Sequence, residues 1–245
     1  MIELKNISIG FNEQSVLQNI NLQIREQETL LIVGQSGSGK SVLVKIIDGL
    51  LPHDEGSVII DGEDLQNSRG QSALLIRQKL AMLFQGSALL DSLNVYQNVA
   101  LPLLEHTRLS ESEIFQQVTD KLAMVGLSGI MKRFPSELSG GMKKRVALAR
   151  AIITNPKYII YDEPTTGLDP VIAGEIIELI KNLHQQQEVA TIIVTHDLYC
   201  IERIGGRIVM LADTDIIFDG NLDEFKNAGD SRIRRFLYST DRIEI

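Results

Sequence analysis

The sequence predicts an α/β fold. It should have a mostly parallel sheet with helices packed on it, an N-terminal antiparallel β part and an inserted α-helical subdomain. Three observations predict this. From Thr29 to Leu211, short buried-strand runs alternate with helical periodicity. Between the first such strand and its helix lies Gly34-Gln35-Ser36-Gly37-Ser38-Gly39-Lys40-Ser41, a full match to G-x-x-x-x-G-K-[ST]. No strand signal interrupts residues 86–156.

Residues 2–9 alternate apolar and polar, as a half-exposed strand does, and Gly10 is the expected end of that strand. Val16-Leu17 and residues 20–24 continue the pattern, with Phe11 between these strands. Thr29–Val33 reads as a short buried strand, and a helix can start at Lys40. After a turn at 50–56 come a strand at 57–60, a hairpin signal at Asp61-Gly62, a short helix within 69–79 and a buried strand at 80–84 ending at Gln85. Within the helical insert, Ser110 and Glu113 have capping-box spacing. Ile114, Val118, Leu122 and Val125 follow at helical intervals, and Gly126 suits a C-terminal cap. A further helix starts at Ser139. Residues 157–161 return to strand, Asp169-Pro170 opens a helix, and 190–195 is strand again. A hairpin at 207–218 and two short helices near 221–227 and 230–238 follow. This organises 1–245 as one domain. Residues 1–85 and 157–219 form its core, 86–156 the helical subdomain and 220–245 a C-terminal helical segment.

Composition bounds the function. The chain has 245 residues, 44% hydrophobic and 23% charged, as an ordinary globular protein does. A net charge of −8 argues against nucleic-acid binding, which needs a basic face. Cys200 is the single cysteine, so no internal disulfide can form; it reads as a packed helix residue. His53, His106 and His184 read as surface or loop residues rather than ligands. The N-terminus lacks a signal-peptide pattern, and apolar runs fall far short of the ~18 residues that cross a bilayer. Any action on a membrane is expected to pass through a partner.

The chemistry concentrates on phosphate. Three glycines let residues 34–41 curl around an anion without an obstructing Cβ, while turn amides and a helix N-terminus point at the same phosphates. Lys40 adds a mobile charge, and the Ser41 hydroxyl is the expected Mg²⁺ ligand. Asp162, at the end of a buried strand, is placed to hold Mg²⁺. Glu163 is placed to orient or deprotonate a water attacking a γ-phosphate. Leu138-Ser139-Gly140-Gly141-Met142 offers a hydroxyl and amides at another helix N-terminus. It is either a second phosphate site, which suggests a nucleotide shared between two chains, or simple capping by Ser139. Phe11 is either a small core or turn contact or a ring for stacking on a purine, and Lys143-Lys144-Arg145 either a solvated helix face or contacts near the nucleotide or the dimer interface.

In this order, these motifs resemble the ATP-binding cassette (ABC) ATPases, a P-loop NTPase family with a RecA-like core, over residues 1 to about 238. The resemblance implies ATP and Mg²⁺ as cofactors. It makes Gln85 a Mg²⁺ ligand and sensor at the junction with the helical subdomain. Residues 138–142 become the signature, Leu168-Asp169 the D-loop, His196 a switch residue on the γ-phosphate and Phe11 the ring on adenine. It further implies a head-to-tail dimer in which Ser139 and Gly141 serve the nucleotide of the other chain. The fifth signature position is usually Gln; Met142 stands there and cannot hydrogen-bond as Gln does. The strings at 84–93, 138–145, 162–170 and 231–237 are similar to one branch, the Mla/Mce-type phospholipid-transport ATPases. That branch implies a cytoplasmic chain held peripherally on the cytoplasmic face of the inner membrane by an integral membrane permease, with a lipid-binding and a small regulatory subunit as further candidate partners. The alternatives are a lipoprotein-release or small-solute transporter ATPase, and a soluble ABC ATPase of iron–sulfur cluster assembly.

Overall fold

In chain order the elements of the computed structural model, described for residues 1–240, begin with β1 (Ile2–Phe11), β2 (Gln14–Ile24), β3 (Thr29–Val33), α1 (Lys40–Ile47), β4 (Glu55–Ile60), β5 (Glu63–Asp64), α2 (Gly70–Gln78) and β6 (Leu80–Leu83). Then come α3 (Val95–His106), α4 (Glu111–Met124), α5 (Gly140–Ile152), β7 (Tyr158–Asp162), α6 (Pro170–Gln187), β8 (Ala190–Val194) and α7 (Leu198–Ile204). The hairpin β9 (Arg207–Ala212) and β10 (Asp215–Gly220) precedes α8 (Leu222–Lys226) and α9 (Ser231–Thr240). Residues 241–245, the end of the expected C-terminal segment, lie outside the described residues.

Two sheets carry the strands. One is antiparallel in the order β2-β1-β4-β5, and the other runs β10-β9-β3-β8-β7-β6. In the second sheet β3, β6, β7, β8 and β9 are parallel and β10 alone is antiparallel. The period-two alternation of its strands divides two cores between its faces. Leu30, Ile32, Tyr158, Ile160, Ile192 and Val194 point to the core shared with α1 and the antiparallel sheet. Leu31, Val33, Ile159, Tyr161 and Ile193 point to the core formed with helices, where Val99, Val118, Leu122 and Val146 of α3–α5 are buried. Strands covered on both faces are nearly all apolar, and every residue of β7 and β8 is buried, Asp162 and Thr191 being their polar exceptions.

Register positions the chemistry. Ile32, Val194 and Asp162 stand side by side across β3, β8 and β7, and Leu83 pairs with Tyr161 across β6 and β7. The loop after β3, residues 162–163, Gln85 and His196 therefore emerge along one carboxyl edge, where ligands of such sheets bind.

Several expectations change in detail. β1 continues through Gly10, so Phe11 is its last residue and pairs with Gln14. Residues 14–24 form one strand, with register shifts and a left-handed Asn19 (φ 53°). β4 starts two residues early, at Glu55. Residues 84–94 form no helix, so the insert becomes helical only at Val95. His184 is not a surface or loop residue. It is half-buried on α6, its ring nitrogens 3.1 Å from Thr191 Oγ1 and 3.3 Å from Thr29 Oγ1. Cys200 is buried within α7. Among the described residues no helix is long and apolar enough to cross a membrane.

Candidate functional site

Val33 ends β3 and residues 34–39 turn back over its tip. Gly34 lies at φ +150°, and a Cβ there would sit 2.4 Å from the Leu211 carbonyl oxygen and 2.7 Å from Ser38 Oγ. Any side chain would push the loop off the sheet. Gly39 is the N-cap of α1 in a left-handed conformation (φ 94°), and no side chain caps that helix. By contrast, Asn94, Ser110, Ser139, Asp169, Asp197 and Asn221 cap theirs. The first-turn amides of α1 thus face the loop concavity without a side-chain acceptor, as an anion site requires.

Lys40 is only 6% exposed, and its Nζ donates to the carbonyl oxygens of Gly34 and Gln35, both at 2.8 Å. Burial lowers its pKa, while the charges of Glu163 and Asp162 act the other way. Ser41 Oγ donates to Asp162 Oδ1 at 3.1 Å. Burial raises the Asp162 pKa, and the Ser41 hydrogen bond opposes that rise. Glu163 takes the left-handed conformation (φ 52°), a strained geometry for a non-glycine residue. Its N–H donates to the Val194 carbonyl at 3.0 Å, and its Oε2 accepts from Thr166 Oγ1 at 2.9 Å. Its Oε1 lies 2.8 Å from His196 Nδ1. The Glu163 side chain is 13% exposed and that of His196 55%. The carboxylate is therefore clamped from two sides and aimed along a fixed line.

These groups share one cavity of about 690 Å³, walled by Gly34–Gly37, Gly39, Lys40, Ser41, Gln85, Glu163 and His196. Asp162 lies behind Ser41, and Ser38 lines an adjoining hollow. Phe11, with its side chain exposed at the end of β1, lies outside the cavity wall. Ser139 and Gly141 also lie outside it. Ser139 is exposed and its Oγ accepts from Met142 N at 3.3 Å. Gly141 is buried, and a Cβ there would meet Ile172 Cγ2 of α6 at 2.7 Å. Met142 packs its side chain against the core.

The Ser41 hydroxyl and Asp162 carboxylate, with Gln85 on the wall, are hard oxygen donors of the kind that Mg²⁺ takes. Among the described residues no group of three or more His, Cys, Asp and Glu side chains could hold a metal. That fits an ion which takes most of its ligands from phosphate and water.

Four contributions escape a reading of the sequence. Lys144 is buried on α5, donates to the Gln85 carbonyl oxygen and feels the charges of Asp162 and Glu163. Arg150, two turns further on, donates to the carbonyls of Ala88 at 2.8 Å and Ser87 at 3.1 Å. Together they hold the Gln85 loop, whose Ser87 and Ala88 are left-handed, to α5. The third is the Thr166 brace on Glu163. The fourth is Arg235 of α9, which with Phe236 closes one side of the cavity. The basic run at 143–145 was the only signal for Lys144. Its neighbour Arg145 donates to the Val125 carbonyl at the end of α4 and pairs with Glu175 at 2.6 Å.

Known proteins resemble the chain in sequence and in fold. Residues 17–166 match the family described as ABC transporter. The intermembrane phospholipid transport system ATP-binding protein MlaF of Haemophilus influenzae is 38% identical over 97% of this chain and 90% of its own length. The "Probable ribonucleotide transport ATP-binding protein mkl" of Mycobacterium tuberculosis is 38% identical over 96% of this chain and 66% of its own. The dimeric ATP-binding cassette MJ0796 in a post-hydrolysis state, bound to ADP and Pi, superposes with a TM-score of 0.82. It is 34% identical, covering 91% of this chain and 99% of that one. The chain belongs to the ABC transporter family, as an ATP-hydrolysing subunit.

Proposed function

We propose that two copies of this chain close head-to-tail around two MgATP and reopen after hydrolysis, driving a membrane permease that moves phospholipid between membranes. One observation carries the dimer. The phosphate cradle and its acidic pair are complete in one chain, whereas the exposed Ser139–Gly140 helix end faces none of the cavity. A second copy supplies that end to the nucleotide.

In this reading Lys40 exchanges the Gly34 and Gln35 carbonyls for phosphate oxygens. Glu163 orients and deprotonates the attacking water, while His196 holds Glu163 and contacts the γ-phosphate. Ser41, Asp162 and Gln85 would hold Mg²⁺, which would supply positive charge against the phosphates. Phe11 stacks on the adenine. Residues 86–156 act as one helical subdomain, coupled to the nucleotide through Lys144 and Arg150 on the Gln85 loop. The permease docks on residues 86–101, where Leu90 is 46% exposed, and holds the chain at the cytoplasmic face of the inner membrane. Lipid-binding and small regulatory subunits are the remaining partners. The phospholipid cargo is carried over from the MlaF name, whose bearer matches along more of its length than mkl does.

The test has two arms. ATPase activity per chain should rise with protein concentration, and a strictly monomeric sample should bind ATP yet hydrolyse it poorly. Full activity in the monomer would sink the shared site. Membranes expressing the chain with its permease should yield a complex carrying phospholipid by mass spectrometry; recovery of another solute class would replace the cargo.

A further inference from the structure

The helix α9 is fixed against the nucleotide end of the fold. Ile233 and Phe236 are buried, with the Phe236 ring 6.0 Å from Phe225 and the latter 5.1 Å from Phe218. Arg232 is tied to Asp230 at 2.6 Å and Asp213 at 2.9 Å. Arg235 stands three residues on, along the same stripe of the helix. Both arginines line a 420 Å³ hollow under residues 35–38, and Arg235 also lines the 690 Å³ cavity that holds Lys40, Glu163 and His196.

The two arginines differ in their partners. Two carboxylates satisfy Arg232. Arg235 is exposed and makes no hydrogen bond or ion pair with any described residue, in a chain of net charge −8. A guanidinium has five donors in a planar fork that suits phosphate oxygens. Arg235 shares the larger cavity with Glu163 and His196 of the reacting end, while Gln14, the partner of Phe11 across β1 and β2, lines only the smaller one. We propose that Arg235 is a further nucleotide-binding residue, which contacts the terminal phosphate of ATP and makes the site prefer ATP to ADP. This rests on the nucleotide reading of the cavity.

Titration of the full chain with Mg²⁺ plus either the imido analogue of ATP or ADP tests it. Arg235→Ala should weaken the analogue about tenfold, the worth of a charged hydrogen bond, and ADP by less than about threefold. Its unfolding midpoint should stay unchanged. Arg235→Lys, which keeps the charge and loses the fork, should fall between the two. Arg234→Ala on the neighbouring exposed position, where the guanidinium only reaches the Ala228 carbonyl, should leave both affinities alone. An analogue affinity within about twofold of the parent, or equal losses for both nucleotides, would overturn the proposal. Lys40→Ala separates the two readings. If it abolishes binding while Arg235→Ala has no effect, only the Arg235 contact fails. If Lys40→Ala binds normally, the nucleotide site itself fails.

Discussion

Two helices in this molecule begin at glycine-rich sequence, and their N-termini are built differently. At α1 the cap is Gly39, which has no side chain to offer, and the first turn opens into a deep cavity beside a buried lysine. At α5 the cap is Ser139, whose hydroxyl already accepts from Met142 N at 3.3 Å, and the helix end is exposed. The first is a preformed anion site. The second is a satisfied helix end that gains a phosphate only if one is brought to it. Such an asymmetry is expected where one ligand is held by two copies, each contributing a different half.

Lys40 gives the widest separation between the halves. Replacing it with Ala removes a charge that is bonded to two loop carbonyls on the cavity wall. Nucleotide titration of Lys40→Ala should show no saturable ATP binding, and turnover should vanish with it. Binding within tenfold of the parent would mean that the α1 end is no more preformed than the α5 end. Glu163→Gln should come next. The amide keeps the size of the side chain but not its basicity. ATP binding should survive, while kcat falls by roughly 10²–10⁴, the usual contribution of a general base. Near-normal turnover would remove Glu163 from the chemistry and leave its left-handed backbone unexplained.

The α1 half was legible in the sequence because its determinants are local. Gly34, Gly39, Lys40 and Ser41 lie within eight residues, at the junction of a buried apolar strand and a helix. Asp162 and Glu163 were legible because a buried strand announces where its carboxyl end lies. The α5 half was harder, since LSGGM encodes a cap whether or not a phosphate ever arrives. Long-range support was not legible. Lys144 reaches the Gln85 carbonyl 59 residues away and Arg150 reaches Ser87 63 residues away. Nothing in a basic run separates those contacts from a solvated face. His184 was misread for the same reason: its hydroxyl partners come from two different strands.

The smallest effect decides most about the α5 end, because it needs a matched control within the same helical layer. Ser110 caps α4 through a full capping box, with Glu113 Oε2 accepting from Ser110 N at 2.8 Å and no cavity of the nucleotide nearby. Ser139 makes only the one cap bond. Ser110→Ala and Ser139→Ala should each cost about 1 kcal/mol or less, with the larger loss at Ser110. In a chain of this length that is a fall in Tm of roughly 2–4 °C. If Ser139 is only a cap, the two variants should keep the same turnover. If its hydroxyl meets the nucleotide of a second copy, Ser139→Ala should lower turnover by about tenfold while Ser110→Ala leaves it alone. ATP affinity of the isolated monomer should be unchanged in both, because neither serine lies on the cavity wall. A turnover loss in Ser139→Ala with the monomer affinity lost as well would place Ser139 in its own chain's site, and the division of the site between two copies would fall.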